Sequence, residues 1–399
     1  MDVPSARSQA AARWCWFALL VALAAWGLLL GVNPRRSGDL RIYLTAAQRF
    51  WRGLDLYPAS DGPIGFKYAP AAAWFFAPFA ALPFRVAAVL WNLGSVAALA
   101  FTAAHWRAML ADDPRYGVAP WGPIIATLAL SQSLFLELFY GQIDLLILAL
   151  LIWPFTLAGR RHEFSSGFCL ALAILLKPPA AVILAAPVAM GRRRTVIATV
   201  LGFAILHTPL LARFGWRGAV DEVSAWMAIL DSTTAAWALG YNPQGLPTLL
   251  LSVVYALDSE PSHAAQAVAN AVSAAAVIAA PLFARLNDAA LVSVLCFGTA
   301  FASPLAWRAN FVLAWPLIAA LLSLRAAPAP RVVALGAVGL VAAVEWLMGE
   351  SVLGPTRLRT VLAARPWGIA FLILSVVALA VFPRGQRPKA WANVPAEPR

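Results

Sequence analysis

The sequence predicts an all-α polytopic membrane protein, and three observations carry that prediction. The chain is 62% hydrophobic and 12% charged over 399 residues, too little polar surface for a soluble body of this length. Its mean hydropathy is +0.76. Apolar runs of roughly 15–23 residues recur along the chain, the length that crosses about 30 Å of hydrocarbon. The short alternating strands of a membrane barrel are absent from the pattern.

The first run, 14–32, follows Arg7 and Arg13. It is long, and "GVNPRRSGD" after it offers no small-residue cleavage pattern, so it is expected to be an uncleaved signal anchor. Further spans are expected at 86–106, 120–139, 141–158, 195–213, 262–284, 288–304, 309–324, 332–348 and 367–382. The segment 164–190 is interrupted by Lys177, Pro178 and Pro179 and is expected to form two half-helices, because proline breaks the backbone ladder and the freed groups must face protein or water. The proline-interrupted run 68–84 is either re-entrant or a further span. About 10–13 crossings follow from these lengths, in one domain over 1–383 with a disordered tail over 384–399.

Orientation follows the arginines, which collect on cytoplasmic loops. Arg160 and Arg161, Arg192 to Arg194, Arg325 and Arg331, and Arg384, Arg387 and Lys389 all fall on one side if the N-terminus is cytoplasmic. That leaves two outer loops, 33–68 and 214–261, in a multi-pass protein of the cytoplasmic membrane. The net charge of +12 is thus a topology signal, and no nucleic-acid partner is expected. Cys15, Cys169 and Cys296 lie in or beside spans and read as small buried apolar residues. His105, His162, His207 and His263 are scattered, so no metal site and no cofactor are expected.

The first outer loop holds the residues of most chemical interest. It carries three acids and six basic residues, against the orientation rule. Leu40, Tyr43, Leu44, Ala47, Phe50, Trp51 and Leu54 form an apolar stripe at helical spacing, which predicts an amphipathic helix in the membrane interface. Asp39 is then expected at its N-cap. As a cap it is worth about 0.5–2 kcal/mol; as a carboxylate beside a substrate hydroxyl it can serve as a base.

Five further pieces recur in order: "FKYAP" with a following "PFAALP", "GQIDLLIL" (141–148), "LLKPPA" (175–180), "YNPQGL" (241–246) and "SPLAW" (303–307). With an Asp directly after the first span, this series resembles the GT-C glycosyltransferases of family 87, over most of the chain to about residue 320. The resemblance implies the GT-C fold and an inverting glycosyltransferase acting on the outer face. Its sugar, with mannose typical of the family and arabinofuranose the alternative, would come from a polyprenyl-phosphate donor. The acceptor would be lipid- or glycan-linked, among membrane lipids, and no nucleotide sugar or metal is implied. The family's catalytic base carries over to Asp39.

A lipid-phosphate leaving group calls for cations. Lys67 before Tyr68, Lys177 at a helix break inside the membrane, Arg308 beside Trp307, and Arg41 are the candidates, Arg41 and Arg308 having headgroup snorkelling as the competing role. Gln142 is expected to bond substrate hydroxyls or cap the next helix. Asn242 and Gln244 are expected either to read sugar hydroxyls or to form a turn. Glu137 and Asp144 flank an outer helix junction, serving the acceptor or bridging an arginine. Trp74, Trp91 and Trp237 are expected as core or interface anchors, with sugar stacking as the lesser alternative. Relatives often carry histidines shortly after the "SP…W" motif, where this chain has Arg308, Ala309 and Asn310; either Arg308 substitutes for them, or the chain uses a different donor or has lost activity. A lipid-glycan flippase is the competing class; it calls for inverted repeats with paired helix breaks, and only the break at "KPP" is clear.

Overall fold

A computed structural model describes residues 5–117, 119–156 and 162–385. Among them eighteen α-helices follow one another: α1 (Ala6–Val32), α2 (Gly38–Arg52), α3 (Ala77–Ala80), α4 (Phe84–Ala111), α5 (Gly122–Ala129), α6 (Ser131–Tyr140), α7 (Asp144–Thr156), α8 (Glu163–Leu176), α9 (Ala185–Ala189), α10 (Arg193–Leu206), α11 (Thr208–Ala238), α12 (Leu246–Leu251), α13 (His263–Phe283), α14 (Asp288–Phe301), α15 (Trp315–Ser323), α16 (Pro328–Leu347), α17 (Glu350–Ala363) and α18 (Pro366–Val381). Short 3-10 helices at Pro70–Phe76, Pro178–Leu184 and Arg308–Ala314 lead into α3, α9 and α15.

The chain is an all-α, multi-pass membrane protein. By length and composition, four helices among the described residues can cross a membrane alone: α1, α4, α13 and α16. Three bent pairs, α5–α6, α10–α11 and α17–α18, are long enough together and turn by 68°, 60° and 55°. Six further apolar helices run 10–17 residues. The ten to thirteen crossings expected from the sequence thus become four to seven complete ones plus shorter pieces, because prolines and Lys177 divide the remaining apolar runs. The arginines at 160–161 and 387 and the tail after 385 lie outside the described residues.

Packing follows the small residues. Helices α8 and α10 pack tightly together; a Cβ on Gly167 would sit 2.5 Å from Ala198 Cβ, so the backbones meet there without side chains between them. Helix α14 is buried along its whole length, from Ala289 to Phe301, and forms the centre of the bundle with α7, α15 and the 3-10 segment Arg308–Ala314. Helix α1 instead exposes Trp14, Phe17, Trp26 and Leu29, the all-round apolar surface of a helix standing in lipid.

The segment expected as the second outer loop differs from expectation. Residues 214–261 are not an open loop; α11 continues to Ala238 through a kink at Gly215 (φ 67°). Arg217, Asp221, Glu222 and Asp231 interrupt the apolar run in the sequence, yet they sit on a helix. The segment beyond α11 is pinned from the opposite end of the chain. Buried Arg365 donates to the carbonyls of Leu239 (3.0 Å), Pro243 (3.2 Å) and Gly240. An Arg365→Met variant leaves these carbonyls without their donor, at about 1–3 kcal/mol for a buried orphaned group. It is expected to lower the midpoint of thermal unfolding and to speed limited proteolysis within 239–258.

Candidate active site

The loop after α1 returns to the bundle through one contact that only glycine allows. Ser37 N–H donates to Phe139 O (2.9 Å), which seats the start of α2 on the end of α6. Gly141 closes α6 with φ +68°, and a Cβ there would lie 3.0 Å from Leu40 Cβ and 3.2 Å from Ser37 Cβ. Position 141 therefore needs glycine for its backbone and for its neighbours. Gly141→Ala is expected to cost about 1–3 kcal/mol and to shift α2 against residue 142. A lower unfolding temperature together with lost activity is the check.

This contact brings Asp39 to Gln142. Asp39 is not the helix cap expected from the sequence: Ser37 holds that position in left-handed backbone (φ 56°), and Asp39 lies inside the first turn. Its carboxylate accepts from Gln142 Nε2. Burial pushes the carboxyl from an ordinary 3.8 up to about 6; the Gln142 hydrogen bond opposes that, the Asp144 charge adds to it, and the Lys67 charge opposes it.

Asp39 opens into a cavity of about 450 Å³ whose wall includes Tyr43, Lys67, Tyr68, Gln142, Lys177, Trp226, Trp237, Ser303, Trp307 and Asn310. The ten residues singled out in the sequence thus do not share one fate. Asp39, Lys67, Tyr68, Gln142, Lys177 and Trp307 meet here. Lys67 forms no ion pair among the described residues; its ammonium lies 5.7 Å from the Trp237 ring, and burial pulls its pKa down while Asp39 pushes it up. Lys177, at the break between α8 and the 3-10 helix Pro178–Leu184, pairs with Asp144. Asp144 is fully buried at the start of α7 and also accepts from Asn310 Nδ2 (2.6 Å). It bridges a lysine where the sequence suggested an arginine. Glu137, next to it, accepts from Leu145 N–H (3.0 Å).

Four candidates lie elsewhere. Arg41 donates to Pro34 O (2.7 Å) and stacks 3.9 Å over Phe84, which uses its charge on the outer loop itself. Gln244 is buried and donates to the carbonyls of Tyr241 and Leu362, both at 3.0 Å, so "NPQG" is a packed turn. Half-buried Asn242 belongs to the same turn. Arg308 is not among the residues that line the cavity beside Trp307. It is 8% exposed, stands 5.2 Å over Trp367, and has Nε and Nη1 without hydrogen-bond partners among the described residues. Behind it Glu345 accepts from Ser133 N–H (2.8 Å), Ser133 Oγ (2.6 Å) and Trp367 Nε1 (3.0 Å).

Other charges of the first outer loop are likewise engaged. Arg49 grips Asp61 with both terminal nitrogens, Nη2 at 2.8 Å, and holds that carboxyl below its ordinary range. Arg36 lies 4.3 Å over Phe139.

Two wall residues were not legible as site residues, and a third, Trp237, read chiefly as an anchor. Tyr43 falls on the apolar stripe of α2, and its hydroxyl gives no separate signal. Trp226 and Trp237 belong to α11, which the sequence presents as loop; Trp226 Nε1 donates to Lys67 O (2.9 Å) and fixes the lysine backbone. Trp74 and Trp91 are anchors as expected, donating to Leu206 O (3.0 Å) and Gln142 O (3.0 Å). Among the described residues no three His, Cys, Asp or Glu side chains converge as a metal set.

The family model for glycosyltransferase family 87 matches residues 66–305. A polyprenol-phosphate-mannose-dependent alpha-(1-2)-phosphatidylinositol pentamannoside mannosyltransferase of Mycobacterium tuberculosis is 28% identical over 161 residues, 38% of this chain and 36% of that protein. The protein of the same description from Mycolicibacterium smegmatis is 35% identical over 105 residues, a quarter of each chain (25% and 25%). The matched regions therefore span about a third or less of these relatives (36% and 25%). No solved structure matches the chain.

Proposed function

The chain belongs to glycosyltransferase family 87, and from that premise we propose that it moves mannose from a polyprenyl-phosphate donor to a lipid- or glycan-linked acceptor. The single observation that carries this reading is the Asp39 cavity. The Asp39 carboxylate and the Lys67 cation, which has no ion pair among the described residues, line the same space, with tryptophans on its wall. The named activity of both relatives, transfer from polyprenol-phosphate mannose, supports the donor class.

The chemistry is a displacement. The acceptor hydroxyl donates its proton to Asp39 as its oxygen bonds the anomeric carbon. The bond from that carbon to the phosphate oxygen breaks, and the lipid phosphate leaves with the electron pair. Attack opposite the phosphate inverts the anomeric centre. Lys67 meets the charge that grows on the leaving phosphate, a role for a fixed cation in a site shielded from water. Lys177 supports it with the N–H groups not spent on Asp144. Trp226, Trp237 and Trp307 offer apolar faces to the sugar ring. Arg308, on the far side of Trp307, is proposed to take a further anionic oxygen, since a buried guanidinium with two unpartnered nitrogens is otherwise unexplained. With Arg7 and Arg13 inside, the cavity faces the outer side of the cytoplasmic membrane.

Membranes containing the chain, given polyprenyl-phosphate-mannose and polyprenyl-phosphate-arabinofuranose in parallel with radiolabel in the sugar, test the donor. Label should move from the mannosyl lipid into an acceptor fraction. Transfer from the arabinosyl lipid alone replaces the sugar and keeps the mechanism; transfer from neither removes the reading.

A further inference from the structure

The cavity wall holds Asp39 from one side, and the hold has a direction. Gln142 presents Nε2, the donor end of its amide, to Asp39 Oδ2. Its other end, Oε1, accepts from the Tyr43 hydroxyl at 3.3 Å. A phenol has one proton. With that proton on Gln142, Tyr43 is the acceptor toward Tyr68, whose hydroxyl lies 2.8 Å away. The Tyr68 proton therefore points at Tyr43, and each donor in the series follows from the one before it.

Both ends of the series are tied down. The Gln142 backbone carbonyl accepts from Trp91 Nε1 (3.0 Å), and the Tyr68 backbone carbonyl accepts from the Tyr57 hydroxyl (2.6 Å). The Tyr43 ring is stacked on Phe76 at 4.7 Å and meets the edge of Tyr68 at 5.0 Å. These contacts leave the rings little freedom to point their hydroxyls elsewhere. On Asp39, Oδ1 has no hydrogen-bond partner among the described residues.

We propose that Tyr68, Tyr43 and Gln142 form a one-way hydrogen-bond chain that keeps the Gln142 amide turned donor-first toward Asp39, reserving Oδ1 as the atom that takes the acceptor's proton. This rests on the proposed role of Asp39 and makes the three residues positioning residues. The chain matters because an amide can turn over. Without the Tyr43 hydroxyl only the carboxylate itself favours the donor end of the Gln142 side chain, so the amide turns over more readily, and the flipped amide sets a carbonyl oxygen against the carboxylate. The base then loses its donor and meets a repulsive dipole.

The charged and titratable groups that face Asp39 are Lys67 on the outer loop, Asp144 on α7 with Lys177 paired to it, Tyr140 at the end of α6, Tyr43 on its own helix, and Tyr68. Tyr43→Phe changes none of their charges at neutral pH, so its effect on Asp39 passes through Gln142.

The test reads Asp39 directly. Protein in lipid nanodiscs is titrated by infrared spectroscopy, and the carboxylic C=O band of Asp39 is isolated as the difference from Asp39→Asn. Tyr43→Phe and Gln142→Leu should each raise the protonation midpoint, by about one pH unit for one lost hydrogen bond to a carboxylate. Tyr68→Phe, which leaves the Tyr43-to-Gln142 bond in place, should raise it less. A midpoint unmoved by Tyr43→Phe while Gln142→Leu moves it overturns the chain, and so does a midpoint that neither variant moves. Tyr43→Phe removes one oxygen from a stacked ring, so it remains usable if Gln142→Leu does not fold.

The same variants in the mannosyl-transfer assay should lower kcat with KM kept, and their acid limb should move to higher pH by the same amount. Full transfer by Asp39→Asn sinks the assigned role of Asp39 whatever the infrared titration gives. Intact wild-type transfer with unchanged kcat and pH profile in Tyr43→Phe sinks the chain alone.

Discussion

Asp39→Asn is expected to slow sugar transfer by about 10²–10⁴-fold, the usual contribution of a positioned proton acceptor, while the protein stays folded. Asparagine keeps the shape of the side chain and can still accept from Gln142, so the cavity wall is preserved. What it removes is the lone pair basic enough to take the acceptor's proton. Stability should move the other way. Burial raises the Asp39 carboxyl from 3.8 to about 6, so between those values the folded protein binds the proton more tightly than the unfolded chain does. By linkage, this group's contribution to stability falls as pH rises through that window and stays low at neutral pH. An uncharged side chain escapes the penalty, and Asp39→Asn should unfold at a temperature equal to or above that of wild type at pH 7. An inactive variant that is also less stable would instead mark Asp39 as structural. For the wild type, activity should rise as pH passes upward through about 6, where the base becomes ionised.

The second large effect is at Lys177. Its partner Asp144 is fully buried, with Asn310 as its other side-chain donor. Lys177→Met strands that carboxylate, and breaking a buried pair from one side costs about 3–5 kcal/mol. The variant should express poorly or unfold well below wild type. Removing the partner as well, in Lys177→Met with Asp144→Leu, should recover most of the loss, because a buried pair replaced by apolar groups of similar volume is often close to neutral. If the double variant regains its thermal midpoint but not transfer, Lys177 acts on substrate as well as on Asp144. If it regains both, the lysine serves only the fold. A single Lys177→Met variant as stable as wild type would contradict the pairing itself.

Much of this arrangement was legible in the sequence, for identifiable reasons. Helices α1, α4, α13, α16 and α18 begin and end within a few residues of the apolar runs, apart from the extension of α1 back to Ala6, because burial in lipid depends on composition over a length. The break at Lys177 was legible because two prolines and an ammonium in an apolar segment leave no continuous helix. Lys67, Gln142 and Trp307 reach the cavity as their motifs suggested. Other features depend on distant parts of the chain and leave no local trace. Asp39 meets Gln142 across 103 positions, and Arg365 reaches Leu239 across 126. Helix α11 was hidden because its charged residues read as loop, and α17 because Gly354 and Pro355 interrupt it; Gly354 takes φ 71° at the kink. Tyr43 was hidden because a tyrosine on an apolar stripe looks like core until its hydroxyl finds a partner.

The most direct measurement uses purified protein in nanodiscs with an acceptor lipid extract, comparing radiolabelled mannose presented on polyprenyl phosphate with the same sugar presented on a nucleotide. Wild type should transfer label from the polyprenyl lipid and not from the nucleotide, with polyprenyl phosphate released one for one, and Asp39→Asn should do neither. Transfer from the nucleotide sugar, or release undiminished by Asp39→Asn, would contradict a lipid-phosphate sugar reacting at Asp39.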